Sequence, residues 1–281
     1  MPENLIPLRL PFESPALSVA VHAEGDQVVS AAIARDGLWE PFETRLIWDS
    51  LSPGSVFVDV GANLGYFTVL AAARVGPDGQ VFAFEPDPDN CSLLTRTLSE
   101  NTLQERVSVE QAALGHVDAD ARLYLSEDNY GDHQIYPSGD RRRSMAIRCL
   151  RGDAYFADKT DAIDLVKVDT QGSEYAVLSG LIAFLRSQCG SPRLLVELTP
   201  YSLRAAGASG RALVQLLAEL ALPFWIVDHI EHRLVPSDEE SLARWCDNVD
   251  ACPDDEGFMN IFVGQPPSGW QGVDSLHPPR S

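Results

Sequence analysis

The sequence predicts an α/β protein: a doubly wound, mostly parallel sheet of seven strands. Two observations carry this. Strand-length apolar runs recur along the chain, several of them apolar almost throughout, as strands covered on both faces are. Between most of them lie segments whose apolar residues repeat with the period of a helix, and strands alternating with helices build a parallel sheet.

In order, the predicted strands are VFVDV (56–60), QVFAFE (80–85), VSVEQAAL (107–114), DLVKVD (164–169), RLLVEL (193–198), FWIVD (224–228) and MNIFVG (259–264). Cys91, Leu94 and Leu98 share one helical face; Val177, Leu178, Leu181, Ile182 and Leu185 share a second; Leu213, Leu216, Leu217 and Leu220 share a third. Ser237 to Glu240 has the spacing of a capping box and starts a short acidic helix running towards Trp245.

Two regions interrupt the alternation. Residues 1–50 are read as an N-terminal cap in which LSVAVHAEGDQVVSAAIA forms a hairpin turning at Glu24-Gly25-Asp26. Residues 121–150 hold a second strand pair, ARLYLS and MAIRCL, around a polar stretch too long for a tight turn. A long loop inserted in a compact domain is often functional. The main domain then runs from 51 to 264, and residues 265–281, rich in proline and glycine, are expected to be poorly ordered.

Composition narrows the function. The chain has 281 residues, with 41 acidic against 21 basic side chains and a formal charge of -20. Such a charge repels a phosphate backbone and an anionic membrane, so neither nucleic acid nor a membrane is an expected partner. The basic cluster Arg141-Arg142-Arg143 reads as a solvated loop. No apolar stretch is long enough to span a bilayer and the start lacks an export signal, so a cytoplasmic protein is expected. The five cysteines, Cys91, Cys149, Cys189, Cys246 and Cys252, lack paired metal spacing and read as reduced thiols. The pairing His229-x-x-His232 is too sparse to suggest a metal, and none is expected. Homo-oligomerisation is left open.

In an open parallel sheet, ligands bind beyond the carboxyl ends of the strands, where VFVDVGANLGYFT makes its turn. Gly61 permits the bend, Gly65 permits close approach, and Asn63 tolerates a left-handed backbone. A dinucleotide turn wants G-x-G-x-x-G, but Asn63 and Tyr66 stand where its second and third glycines belong. Asp59, two residues before the turn, suits a cofactor bearing an ammonium group. Glu85, 24 residues after Gly61 at the next strand end, suits a ribose diol.

Taken together, DVGANLGYFT, FEPDPDN, VEQAALG and LVKVDTQGSEYAVLSG resemble the FkbM-type branch of the class I methyltransferases that use S-adenosylmethionine. The likeness continues through LLVELTPYSLRAAG and the last strand, over about residues 38–264. It implies a Rossmann-like fold and a cofactor site in which Asp59, Gly61, Ala62, Asn63 and Gly65 line the methionine part. Glu85 would hold the ribose, and Gln111, Ala112 and Ala113 would lie beside the adenine. It also implies methyl transfer to a hydroxyl oxygen of a small molecule or a sugar; a nitrogen acceptor stays open. A nicotinamide- or flavin-dependent oxidoreductase and a non-catalytic cofactor-binding module are the rival readings.

Methyl transfer is an in-line displacement, so the enzyme aligns a nucleophile and removes its proton. Three residues are expected there: Asp169 at the fourth strand end, and His133 with Asp132 in the insertion EDNYGDHQIY. Glu174 opens a helix, where its charge is also favoured by the helix dipole. Glu197, Tyr201 and Arg204 are candidates for the acceptor pocket.

Overall fold

The computed structural model describes residues 4–137, 142–252 and 256–270. Arg141 and His277 fall outside these, as do residues 271–281 of the tail. The chain opens with β1 (Asn4–Pro7) and β2 (Ser18–Val21), paired antiparallel, then α1 (Val29–Asp36) and α2 (Pro41–Ser50). The parallel part follows: β3 (Val56–Val60), α3 (Tyr66–Val75), β4 (Gln80–Phe84), α4 (Pro88–Glu100) and β5 (Val107–Glu110). A small sheet is inserted next, from β6 (Ala113–Gly115), β7 (Ala119–Leu125) and β8 (Arg143–Arg151), which leads into α5 (Gly152–Phe156). The chain re-enters the main sheet at β9 (Leu165–Val168), then α6 (Glu174–Ser179), α7 (Ile182–Ser187) and β10 (Arg193–Leu198). After α8 (Pro200–Ala205) and α9 (Gly210–Ala218) come β11 (Phe224–Asp228), β12 (Arg233–Ser237), α10 (Glu239–Asp250) and β13 (Met259–Val263).

The main sheet runs in the order β12-β11-β13-β10-β9-β3-β4-β5. Strands β10, β9, β3, β4 and β5 are parallel neighbours, and β13, β11 and β12 add antiparallel. Each of the seven predicted runs contributes a strand to it, VSVEQAAL only with Val107–Glu110, and β12 is an eighth that the sequence analysis did not foresee. Its Pro236 lies on the outermost strand opposite Trp225, where a missing amide hydrogen costs no ladder bond.

Alternation along the strands builds two cores. Phe57, Val81, Ala83 and Leu165 point to one face, under α2, α3 and α4. Val58, Val60, Phe82, Phe84, Val166 and Val168 point to the other, under α6, α7, α9 and α10.

Three expectations need correction. Residues 28–34 are not the second arm of a hairpin but helix α1: Val29 and Ile33 bury one face. Asp26, read as turn chemistry, accepts the backbone N–H groups of Val28 and Ser30 and so starts that helix. The run VSVEQAAL is two strands, because the chain leaves the main sheet after Glu110 and joins the small sheet at Ala113. The helical face from Val177 to Leu185 is broken at Gly180. A Cβ there would lie 2.0 Å from the carbonyl oxygen of Gly115, so the turn presses directly on the small sheet.

Candidate active site

A cavity of about 500 Å³ opens at the carboxyl ends of β3, β4, β9 and β10, within the range of small-molecule sites. Its floor is the turn after β3. Gly61 (φ +79) runs so close to β9 that a Cβ would lie 1.9 Å from the carbonyl oxygen of Asp169. Asn63 takes the left-handed backbone (φ 51), and its side chain accepts the N–H of Leu64. Gly61, Ala62 and Asn63 all line the cavity.

Glu85 lies at the end of β4, nearly buried. Its Oε2 accepts the backbone N–H of Asn63 (2.8 Å) and its Oε1 that of Asp87 (2.9 Å). The Asn90 side chain also hydrogen-bonds this carboxylate, and the acceptor capacity that is left suits a ribose hydroxyl. Burial pushes the Glu85 pKa up to about 7, against the two backbone donors.

Beyond Glu85 the wall is apolar: Phe84, Ala113, Leu114, Leu123 and Ile135 form a slot suited to a flat ring. The roof comes from two segments tied together. Val28 and Val29 belong to the N-terminal part, and Asn129, Tyr130, Gly131 and His133 to the insertion. Asp26 joins them by also accepting the N–H of Tyr130 (3.3 Å), and Gln27 donates its N–H to the carbonyl of Asp128 (2.8 Å).

At the other end stand the charged groups. Lys167 is the one charged residue of β9, buried and paired with Asp169 Oδ2 at 3.1 Å. Burial pulls its pKa down, but Asp169, Asp59 and Glu40 outweigh that and hold it above the ordinary lysine value. Its ammonium also lies 5.0 Å from the Phe67 ring centre. The Gln171 amide donates to Asp169 Oδ1 (2.8 Å) and to Glu197 Oε2 (3.1 Å), spanning the two strand ends. Burial first, then Asp169, Glu174 and Glu40, raise the pKa of Glu197 well above the usual carboxylate range. Glu40, entering from the start of α2, closes this end.

Several expected residues stand elsewhere. Asp59 is fully buried behind the cavity wall, because on β3 it shares the face of Phe57, opposite Val58 and Val60, and so points at α3; it accepts the Thr68 hydroxyl at 2.6 Å. Its Oδ1 has no hydrogen-bond partner, and burial raises its pKa against the opposing pull of Lys167. Gly65 serves packing: a Cβ would sit 2.4 Å from Leu94 Cδ1 of α4. Gln111 is exposed and Ala112 is buried off the wall, so only Ala113 of that trio reaches the cavity.

The catalytic pair in the insertion is also revised. His133 lines the cavity, but its Nδ1 accepts the Ser126 N–H at 3.0 Å, so the neutral ring carries its proton on Nε2, 3.8 Å from Asp87 Oδ2. Neither nitrogen then offers a free lone pair to an acceptor. Burial depresses its pKa despite Asp87 and Asp132. Asp132 lies off the wall, ion-paired with Arg142 at 2.7 Å. Tyr201 and Arg204 are likewise off the wall; Arg204 pairs with Asp250. Glu174 is fully buried and receives Thr170 N–H (2.8 Å), Thr170 Oγ1 (3.0 Å) and Gly172 N–H (3.0 Å), fastening the turn that carries Asp169 and Gln171.

Missed altogether were Lys167, Gln171 and Glu40. A lysine inside the apolar run LVKV was a visible signal, since a buried cation needs a counter-charge. Nothing local marks Glu40. Among the described residues no group of three or more His, Cys, Asp or Glu side chains is arranged to hold a metal ion. None of the described helices is long and apolar enough to cross a membrane.

The architecture is that of the Rossmann-like class I methyltransferases, with the pocket at the strand ends where such folds bind their cofactor. The methyltransferase FkbM domain matches residues 59–220, and the chain belongs to that family. It is 28% identical over 157 residues to the hexuronic acid methyltransferase AglP of Haloferax volcanii, covering 54% of this chain and 61% of that protein. It is 26% identical over 147 residues to Methyltransferase 1 of Beauveria bassiana, covering 45% of this chain and 58% of that one. The chain thus spans about three fifths of the length of these relatives. A methyltransferase FkbM structure from Methylobacillus flagellatus KT aligns over 77% of this chain and 47% of its own, at 15% identity and a TM-score of 0.45.

Proposed function

We propose that the protein transfers a methyl group from S-adenosylmethionine to a hydroxyl oxygen of a small molecule or sugar. The observation that carries this is Glu85. Its carboxylate is oriented by backbone donors and keeps acceptor capacity at the mouth of an apolar wall, beside a turn with no room for a side chain at Gly61. Gly61, Ala62 and Asn63 would hold the amino-acid end, Glu85 the ribose, and Ala113, Leu114, Leu123 and Ile135 the base. The bound cofactor supplies an electrophilic methyl on a sulfonium, whose displacement needs alignment more than covalent help.

Asp169 orients the acceptor hydroxyl and takes its proton. Lys167 and Gln171 each hold one of its oxygens, which fixes the carboxylate's direction. Glu197, tied to Asp169 through the same amide, receives neighbouring polar groups of the acceptor. A sugar acceptor is supported by the archaeal relative, whose name gives hexuronic acid as its substrate.

Titration of the purified chain with S-adenosylhomocysteine tests the cofactor half. We expect Glu85→Gln to weaken binding about 10- to 100-fold, the loss of one or two charge-assisted hydrogen bonds. Unchanged affinity in that variant would remove Glu85 from the site. For the chemical half, Asp169→Asn should lower turnover of a methyl acceptor at least about 100-fold while S-adenosylhomocysteine affinity stays within about threefold.

A further inference from the structure

The acceptor end of the cavity holds more carboxyl groups than removing one proton requires. Glu40, Asp169 and Glu197 line it, and Glu43 stands behind. The basic side chains lining the cavity, among the described residues, are Lys167 and His133. Lys167 is already ion-paired with Asp169, and His133 has its Nδ1 taken by Ser126. Neither is placed to receive a carboxylate or phosphate on an incoming molecule.

Glu40 is the unusual member. It lies before residue 59, outside the span that matches the family. It occupies the N-cap of α2, yet its side chain makes no capping hydrogen bond and its backbone is left-handed (φ 40, ψ 73). A glycine would suit that backbone better, and an aspartate, serine or asparagine would serve better as a cap. The side chain instead enters the cavity, near enough to Asp169 and Lys167 to feel both charges. Trp39 and Phe258 line the same cavity, and aromatic faces attract cations.

We propose that Glu40 is a specificity-determining residue: together with Asp169 and Glu197 it selects an acceptor that carries an ammonium group, such as an amino sugar, and turns away a carboxylated one. This rests on the methyltransferase reading. The ammonium is a recognition handle and the methyl still goes to a hydroxyl. Burial, then Glu43 and Asp169, push the pKa of Glu40 up to about 8 against the pull of Lys167, and a bound ammonium would supply the countercharge that lets it ionise.

The test is calorimetric titration of the full chain, saturated with S-adenosylhomocysteine, with D-glucosamine, D-glucose and D-glucuronate at neutral pH. Glucosamine should bind at least about tenfold more tightly than glucuronate, with glucose between. Glu40→Gln should erase most of that difference while leaving the homocysteine cofactor's affinity unchanged. Glu40→Gly, which fits the left-handed backbone, should do the same in a chain at least as stable as the parent. Glucuronate binding as tightly as glucosamine, no binding of any of the three, or a preference unaltered in both variants would overturn the proposal. A chain that fails to take up S-adenosylhomocysteine at the outset overturns the methyltransferase reading instead.

Discussion

Gly61 and Glu85 show how single residues set the cofactor end. Any side chain at Gly61 meets both a positive φ and the Asp169 carbonyl, so Gly61→Ala should cost at least about 2 kcal/mol of stability, read as a lowered denaturant midpoint. Glu85 makes a pH prediction. Its folded pKa of about 7 exceeds the ordinary 4.5, so the native state holds the proton more tightly than the unfolded chain. The associated stability is complete below pH 4.5 and lost as pH rises through 7, on the order of 3 kcal/mol. Glu40, raised to about 8, extends the decline, while His133, with its depressed pKa, opposes it. The melting temperature of the ligand-free chain should therefore fall between pH 5 and 8. Glu85→Gln should make the fall shallower, and an unchanged slope would mean the carboxyl is not so perturbed.

At the scale of elements, the segment after β9 is built by one buried carboxylate. Glu174 gathers Thr170 and Gly172 donors and so aims Asp169 and Gln171 at the cavity. Glu174→Ala leaves those donors unpaired and should destabilise the chain by about 2 to 3 kcal/mol in urea unfolding. A loss below about 0.5 kcal/mol would mean water replaces the carboxylate without cost. The strands were legible because buried parallel strands are apolar almost throughout, as VFVDV and LVKV are apart from Asp59 and Lys167. Helix α1 was not, since VVSAAIA fits an alternating strand and a short helix alike, and only Asp26 and Gly37, holding its two ends, decide. The site divides the same way. Gly61 and Glu85 are adjacent to signals in their own strands, whereas Glu40 reaches the cavity only because α2 folds back over α3. His133 looked like a base because sequence shows a ring but not which nitrogen is already occupied.

Across the whole molecule, residues 4–50 share a core with the sheet. Ile33, Phe42, Leu46 and Ile47 are almost fully buried in the cluster that holds Leu70 and Leu94. Removing residues 1–50 should leave a chain that does not unfold cooperatively, as followed by circular dichroism; a sharp transition would show that the remainder folds alone. The same segment supplies Val28, Val29 and Glu40 to the cavity, so fold and site depend on it together. The central claim is that this cavity takes S-adenosylmethionine. Calorimetric titration with S-adenosylmethionine, S-adenosylhomocysteine and a nicotinamide dinucleotide tests it most directly. The account predicts one-to-one binding of the first two, with dissociation constants on the order of micromolar, and none of the third. Binding of the dinucleotide with no binding of either sulfur cofactor would contradict it.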